Sequence, residues 1–154
     1  MLLGGADGDF LFGQEGSDEL QGDVGDDYLD GGAGGDLVIG GAGADTLLGG
    51  AGANRFLFLA MSDSGPGARD SIGDFDRAAG DLIDLALIDA DSGTQANDAF
   101  TFIGSAAFSN RAGELRYEVI DGLANVFADT NGDGLADMSF TVNADTIRTD
   151  DFIL

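Results

Sequence analysis

From Gly4 to Leu57 the sequence repeats itself every nine residues, and this period constrains the fold more than any other feature. The six units open at Gly4, Gly13, Gly22, Gly31, Gly40 and Gly49 and read GGADGDFLF, GQEGSDELQ, GDVGDDYLD, GGAGGDLVI, GGAGADTLL and GGAGANRFL. Glycine returns at position four in all but the first unit, where Asp7 stands. Position six is Asp9, Asp18, Asp27, Asp36 and Asp45, then Asn54. Position eight is always apolar: Leu11, Leu20, Leu29, Val38, Leu47 and Phe56. A flexible Gly/Asp linker needs no phase. A chain that holds three residue types in phase through six units is a stack of similar supersecondary pieces.

Each position has a physical reason. Glycine tolerates positive φ and lets carbonyls turn inward without a Cβ clash, which suits a tight metal-binding turn. The carboxylate at position six supplies a hard, charged oxygen of the kind calcium prefers. The lone large apolar residue at position eight belongs to a very short strand and points inward. Charge agrees with this reading. Twenty-nine acids, all but four of them Asp, face six bases, all Arg, for a net charge of −23. Such a polyanion repels nucleic acid and acidic membranes and attracts hard cations. The chain has no His, Cys or Lys. That excludes Ser-His-Asp and Cys-His triads, a nitrogen- or sulfur-bound zinc, a Schiff base and a P-loop.

The unit resembles the RTX calcium-binding nonapeptide, whose consensus G-G-x-G-x-D-x-U-x it follows. In that family each nonapeptide is a half-turn of a right-handed parallel β-roll, and calcium lies between loops stacked two repeats apart. The resemblance implies metal ligation by Asp9, Asp18, Asp27, Asp36, Asp45 and Asn54. Backbone carbonyls would contribute as well, from positions two and four of the first loop (Gly5, Asp7) and position two of the second (Gln14). Asp9 should face Asp27 and Asp27 face Asp45 on one edge; Asp18 should face Asp36 and Asp36 face Asn54 on the other. The best-matched site would take Gly32, Gly34 and Asp36 with Gly49, Ala51 and Asn54. The next would pair Gly41, Gly43 and Asp45 with the segment around Asp63. Asn54 brings no charge, which weakens its sites. Gln14 and Asp23 stand where the family has its second glycine, so the loop geometry there is the open point.

Residues 58–154 hold only 10 of the 27 glycines and read as strands and turns. Apolar alternation or short runs occur at 56–59, 72–75, 82–88, 100–103, 115–120, 124–128 and 138–142. Asp121-Gly122 between two runs is a hairpin signal. A roll of six short strands has an open apolar end, which this segment is expected to close. The fold class expected is therefore all-β: a parallel β-roll over 4–57 and a β-rich cap over 58–154, continuous as one domain.

The cap resembles the C-terminal domain of serralysin-type secreted metalloproteases, which is also appended to some secreted lipases. The stretches that carry the resemblance are Asp70-Ser71-Ile72-Gly73-Asp74-Phe75, Gly80-Asp81-Leu82-Ile83-Asp84-Leu85, Asp98-Ala99-Phe100-Thr101-Phe102-Ile103-Gly104 and Ala112-Gly113-Glu114-Leu115-Arg116-Tyr117. The resemblance implies that Asp151-Phe152-Ile153-Leu154 is a signal for a type I exporter, and equally they read as a final edge strand. In that family carboxylates just past the roll complete the last calcium sites. Asp70, Asp74 and Asp81 are candidates, against a reading as ordinary surface aspartates. Residues 129–137 match the first nine positions of an EF-hand-like loop, but position twelve is Phe140 where a bidentate Glu is expected. A tight hairpin turn competes with calcium binding there.

Three function classes follow. The first is a non-catalytic calcium-binding module, secreted by a bacterial type I exporter and fused to an upstream catalytic domain, a protease or lipase. Leu2-Leu3 would then be the tail of an earlier repeat. The second, an enzyme in its own right, is disfavoured because the zinc motif of serralysins needs His and the paired carboxylates are already explained by calcium. The third is a calcium-dependent recognition module, similar to epimerase R-modules or RTX adhesin segments. Lysine-acylated pore-forming toxins are not matched, since there is no lysine to acylate. The N-terminus shows no basic and apolar leader pattern, and no apolar run approaches the ~20 residues of a membrane span. The absence of cysteine permits any redox compartment. A hydrophobic fraction of 44% is too high for a disordered acidic tail.

Overall fold

The computed structural model describes all residues, 1–154. The period of nine becomes a period of strands. Positions seven to nine of the odd units form β2 (Phe10–Phe12), β4 (Tyr28–Asp30) and β6 (Thr46–Leu48). The even units form β3 (Glu19–Val24), β5 (Leu37–Ala42) and β7 (Arg55–Leu57), and β1 (Leu2–Ala6) precedes them. Pairing is parallel with an offset of two units: Leu11 opposes Leu29, Leu29 opposes Leu47, and Leu20 opposes Val38. Two nonapeptides therefore make one turn, and two facing parallel sheets wind up the chain. No α-helix forms; the only helical pieces are 3-10 turns at Met61–Ser64 and Thr149–Asp151.

All six position-eight residues are buried and meet between the sheets. Flanking residues of the same strands point out, as Phe10 and Phe12 do around Leu11, which is the two-residue alternation of a strand. Full burial of one such side chain contributes about 1.5–3 kcal/mol. The interior is one side chain deep, so each unit stabilises its neighbours and none is stable alone.

The sheets pass into the cap without a break. β8 (Ser71–Ile72) pairs with β6, and β9 (Leu82–Asp84) pairs with β7, so Ile72 and Ile83 continue the buried columns beyond Leu47 and Phe56. The architecture then changes. β13 (Met138–Val142) lies beside β8, and β12 (Leu123–Asp129) and β11 (Glu114–Ile120) follow as antiparallel neighbours, with β10 (Thr101–Phe102) at the edge. Asp121 (φ 53°) and Gly122 (φ 82°) make the two-residue hairpin turn anticipated from their sequence. Just past the roll, Phe58 stacks on Phe140 of β13 with ring centroids 4.8 Å apart. One apolar cluster of 23 residues runs through roll and cap together. The last strand, β14 (Phe152–Ile153), adds to β9 at the sheet edge, and the Arg77 guanidinium holds Asp151 beside it at 2.6 Å.

Candidate metal centre

The turns between strands carry the position-six side chains, and these form two columns along the roll. In one, the backbone N–H of Asp9 donates to Oδ1 of Asp27 (2.7 Å), that of Asp27 to Asp45 (2.8 Å), and that of Asp45 to Asp70 (2.9 Å). In the other, Asp18 donates to Asp36 (2.7 Å), Asp36 to Asn54 Oδ1 (3.0 Å), and Asn54 to Asp81 (2.9 Å). The expected partners 9/27/45 and 18/36/54 are thus brought together. From Asp27 and Asp36 onward, one oxygen of each side chain ties the preceding loop of its column to its own.

The second oxygen is different. Oδ2 of Asp9, Asp27, Asp36, Asp45 and Asp70 is buried and accepts no hydrogen bond. A buried polar oxygen without a hydrogen-bond donor calls for a partner of another kind. Asp84 differs from these, because the Arg55 guanidinium forms an ion pair with its Oδ2. The glycine at position one makes room for the unpaired oxygen: a Cβ on Gly31 would lie 2.5 Å from Oδ2 of Asp36. No three acidic side chains converge on one point, so a cation here would draw carboxylates singly or in pairs and fill its shell with carbonyls. Buried unpaired carboxylate oxygens, glycine cradles and oxygen-only donors fit a hard divalent ion such as calcium.

The electrostatics of the metal-free loops agree. Burial pushes the Asp70 carboxyl up to about 8 and the Asp45 carboxyl up to about 6, against backbone N–H donors that lower both; the neighbouring carboxylates raise both further. Burial also raises Asp81. Groups that resist ionisation in a fold are relieved by a positive charge placed beside them.

The structure changes the sequence reading in three places. Asp63 does not stack on Asp45. Its Oδ2 accepts from the N–H groups of Leu59 (2.8 Å) and Ala60 (3.0 Å) and closes the 3-10 turn instead. Asp70 takes the place under Asp45, and Asp81 the place under Asn54; both are buried, so they are not surface aspartates. Asp74 receives the N–H groups of Gly49 (2.9 Å) and Gly50 (2.7 Å). A signal for this was present: Asp70-Ser71-Ile72 and Asp81-Leu82-Ile83 repeat the spacing of positions six to eight outside the nine-residue phase.

The remaining expected residues are placed as follows. Gln14 (φ 75°) and Asp23 (φ 74°) adopt the left-handed conformation of Gly5 (φ 111°), so the loop geometry survives the missing glycines. Asp7 at position four is likewise left-handed, at φ 77°. The 129–137 loop connects β12 to β13 as an antiparallel turn. Its carboxylates are engaged within the loop. Asp129 accepts from Gly132 (2.7 Å) and Gly134 (2.8 Å), and Asp137 accepts from the N–H and hydroxyl of Thr130 (both 2.8 Å). No buried oxygen is left unpaired there.

Comparison with known proteins agrees with this geometry. Residues 25–154 match the family described as peptidase M10 serralysin C terminal, and residues 3–38 match the RTX calcium-binding nonapeptide repeat. Among solved structures, the AlgE6R3 subunit of the Azotobacter vinelandii mannuronan C5-epimerase is similar at 26% identity and a TM-score of 0.67, over 97% of this chain and 80% of that one. The AlgE6R2 subunit of the same enzyme is similar at 26% identity and a TM-score of 0.68, over 99% of this chain and 91% of that one. No curated protein matches the chain.

Proposed function

The chain belongs to the family of serralysin C-terminal domains, and on that premise we propose that it is a non-catalytic calcium-binding module of a larger exported protein, folding when it meets calcium outside the cell. The observation that carries this reading is the set of five buried, unpaired carboxylate oxygens along the loops. Calcium, when bound, supplies the positive charge and the preference for oxygen that those loops lack. The chain's own residues do the rest. Oδ1 of Asp27, Asp36, Asp45 and Asn54 ties adjacent turns together, Oδ2 of the aspartates presents charge, and glycines keep the turn narrow.

Without the ion, stacked carboxylates repel one another and a glycine-rich chain loses much entropy on ordering. The repeats then stay open, which suits passage through a type I exporter. Where calcium is millimolar, binding to the folded form alone shifts the equilibrium by mass action. Extracellular calcium modules bind with Kd of about 10⁻⁴–10⁻³ M. Circular dichroism during a calcium titration is expected to show β-structure growing in over that range. The same spectrum in chelator and in calcium would reject the reading.

A second reading, calcium-dependent recognition of a glycan, is favoured by one surface. Phe10 is 76% and Phe12 49% exposed, and their rings lie 5.8 and 5.9 Å from that of Tyr28. Saturable glycan binding in calcium, lost in Phe10→Ala, would support it; a net charge of −23 disfavours acidic glycans.

A further inference from the structure

The two carboxylate columns end differently. The column 9–27–45–70 ends on Asp70, whose Oδ2 is buried and unpaired like those before it. The column 18–36–54–81 has a single buried unpaired oxygen, Oδ2 of Asp36. Asn54 is 1% exposed and every polar atom of its side chain is engaged. Its Oδ1 accepts from the N–H of Asp36, and its Nδ2 donates to the carbonyls of Gly50 (3.3 Å) and Gly52 (3.2 Å). Asp81 beneath it is also satisfied, with Oδ1 taking the N–H of Asn54 and Oδ2 that of Asp76 (2.8 Å).

The carboxamide nitrogen occupies the position of the unpaired oxygen in the other loops. A Cβ on Gly49 would lie 2.6 Å from Nδ2 of Asn54, as one on Gly31 would lie 2.5 Å from Oδ2 of Asp36. The two loops share their backbone: φ is 78° and 126° at Gly50 and Gly52, 94° and 144° at Gly32 and Gly34. In the Asp36 loop an anionic oxygen therefore stands where the Asn54 loop has two N–H donors aimed at carbonyls. The first arrangement calls for a cation, and the second has already filled that need. The amide cannot be turned round, because the N–H of Asp36 would then face the NH2 group.

Building on the calcium reading above, we propose that the Asn54 carboxamide replaces a calcium ion, so that the column through Asp18 and Asp36 closes onto the cap at Asp81 without metal. The contact between repeat six and residues 74–81 is then formed by protein groups alone, and the other column meets the cap at Asp70 through an ion. This end of the roll is the calcium-independent seam between the two regions.

Counting bound ions tests this on the intact chain. Native mass spectrometry at saturating calcium is expected to find one more ion in Asn54→Asp than in the unsubstituted chain. It is expected to find one fewer in Asp36→Asn, which keeps Oδ1 and gains the same amide donors. An equal count in Asn54→Asp and the unsubstituted chain overturns the proposal. Should Asn54→Asp fail to fold, the Asp36→Asn count and one further signal decide. In ¹⁵N spectra of the calcium-loaded chain the Asn54 carboxamide protons are expected to resist exchange with solvent, and fast exchange refutes their role. An unsubstituted chain that binds no calcium at all would instead sink the reading on which this one rests.

Discussion

Within residues 4–57 the apolar interior is one side chain deep, six residues long in sequence terms, and flanked on both edges by carboxylates whose Oδ2 lacks a donor. Within residues 58–154 the strands lengthen to seven residues, pair antiparallel, and bury Phe58 against Phe140 together with Leu115, Val126 and Met138. Both regions share one apolar cluster, yet their surroundings differ. The cap encloses its interior with long side chains and self-paired turns, as at Asp129 and Asp137. The roll has glycine turns that contribute no apolar cover and concentrate like charge. On the proposed reading, burial holds the cap, whereas the roll depends on cancelling its edge charge. A thin core is compatible with a stable fold where another source of free energy, here ion binding, supplements it.

The comparison breaks most sharply at the glycine turns. Gly34 has φ 144°, and a Cβ there would overlap the carbonyl oxygen of Gly16 in the loop stacked on it. Gly34→Ala is expected to abolish the calcium-induced β-signal. Gly5→Ala, with no atom within 4 Å of the new Cβ but the same left-handed backbone, is expected to cost only about 1–2 kcal/mol. Thermal unfolding in calcium separates the two, and equal losses would show that stacking distance does not limit the roll. In the cap, Phe140→Ala is expected to lower stability by about 3–5 kcal/mol while leaving the calcium stoichiometry unchanged.

The smallest effect sharpens the comparison by pH. Asp45 and Asp70 have raised carboxyl values in the metal-free fold, about 6 and about 8, so the folded form holds protons that the unfolded chain releases near 4. Their contribution to stability is present below pH 4 and is lost as pH rises through about 6 and then about 8. In chelator, the chain is expected to be more folded at pH 5 than at pH 8, with protons standing in weakly for calcium. Fluorescence or circular dichroism in chelator over that range reads it. Greater order at pH 8 would contradict the placement of these two groups.

The repeat was legible because three constraints coincide in nine residues: a turn that needs glycine, a carboxylate beside it, and one inward side chain per strand. The pairing of position-six residues two units apart came from the resemblance to the RTX repeat, because a period of nine alone does not say which loops stack. Past Leu57 the period lapses, and with it the register: the intervals from Asp45 to Asp70 and from Asn54 to Asp81 are 25 and 27 residues rather than 18. Counting in nines led to Asp63, whereas the tripeptide Asp-x-apolar leads to Asp70 and Asp81. The hairpin at Asp121-Gly122 was readable from local turn chemistry. The order β8–β13–β12–β11 was not, because pairing of strands far apart in sequence depends on which faces remain to be covered once the roll has formed. The seal at Asn54 lay beyond the sequence too. Asparagine reads as a weaker ligand until its two N–H groups are seen on the carbonyls of Gly50 and Gly52.

Diffraction from crystals grown in abundant calcium tests the central claim most directly, read at Oδ2 of Asp27 and Oδ2 of Asp36. The account predicts an ion within calcium–oxygen bonding distance, about 2.3–2.6 Å, of each of these atoms. Water alone beside both carboxylates would contradict it.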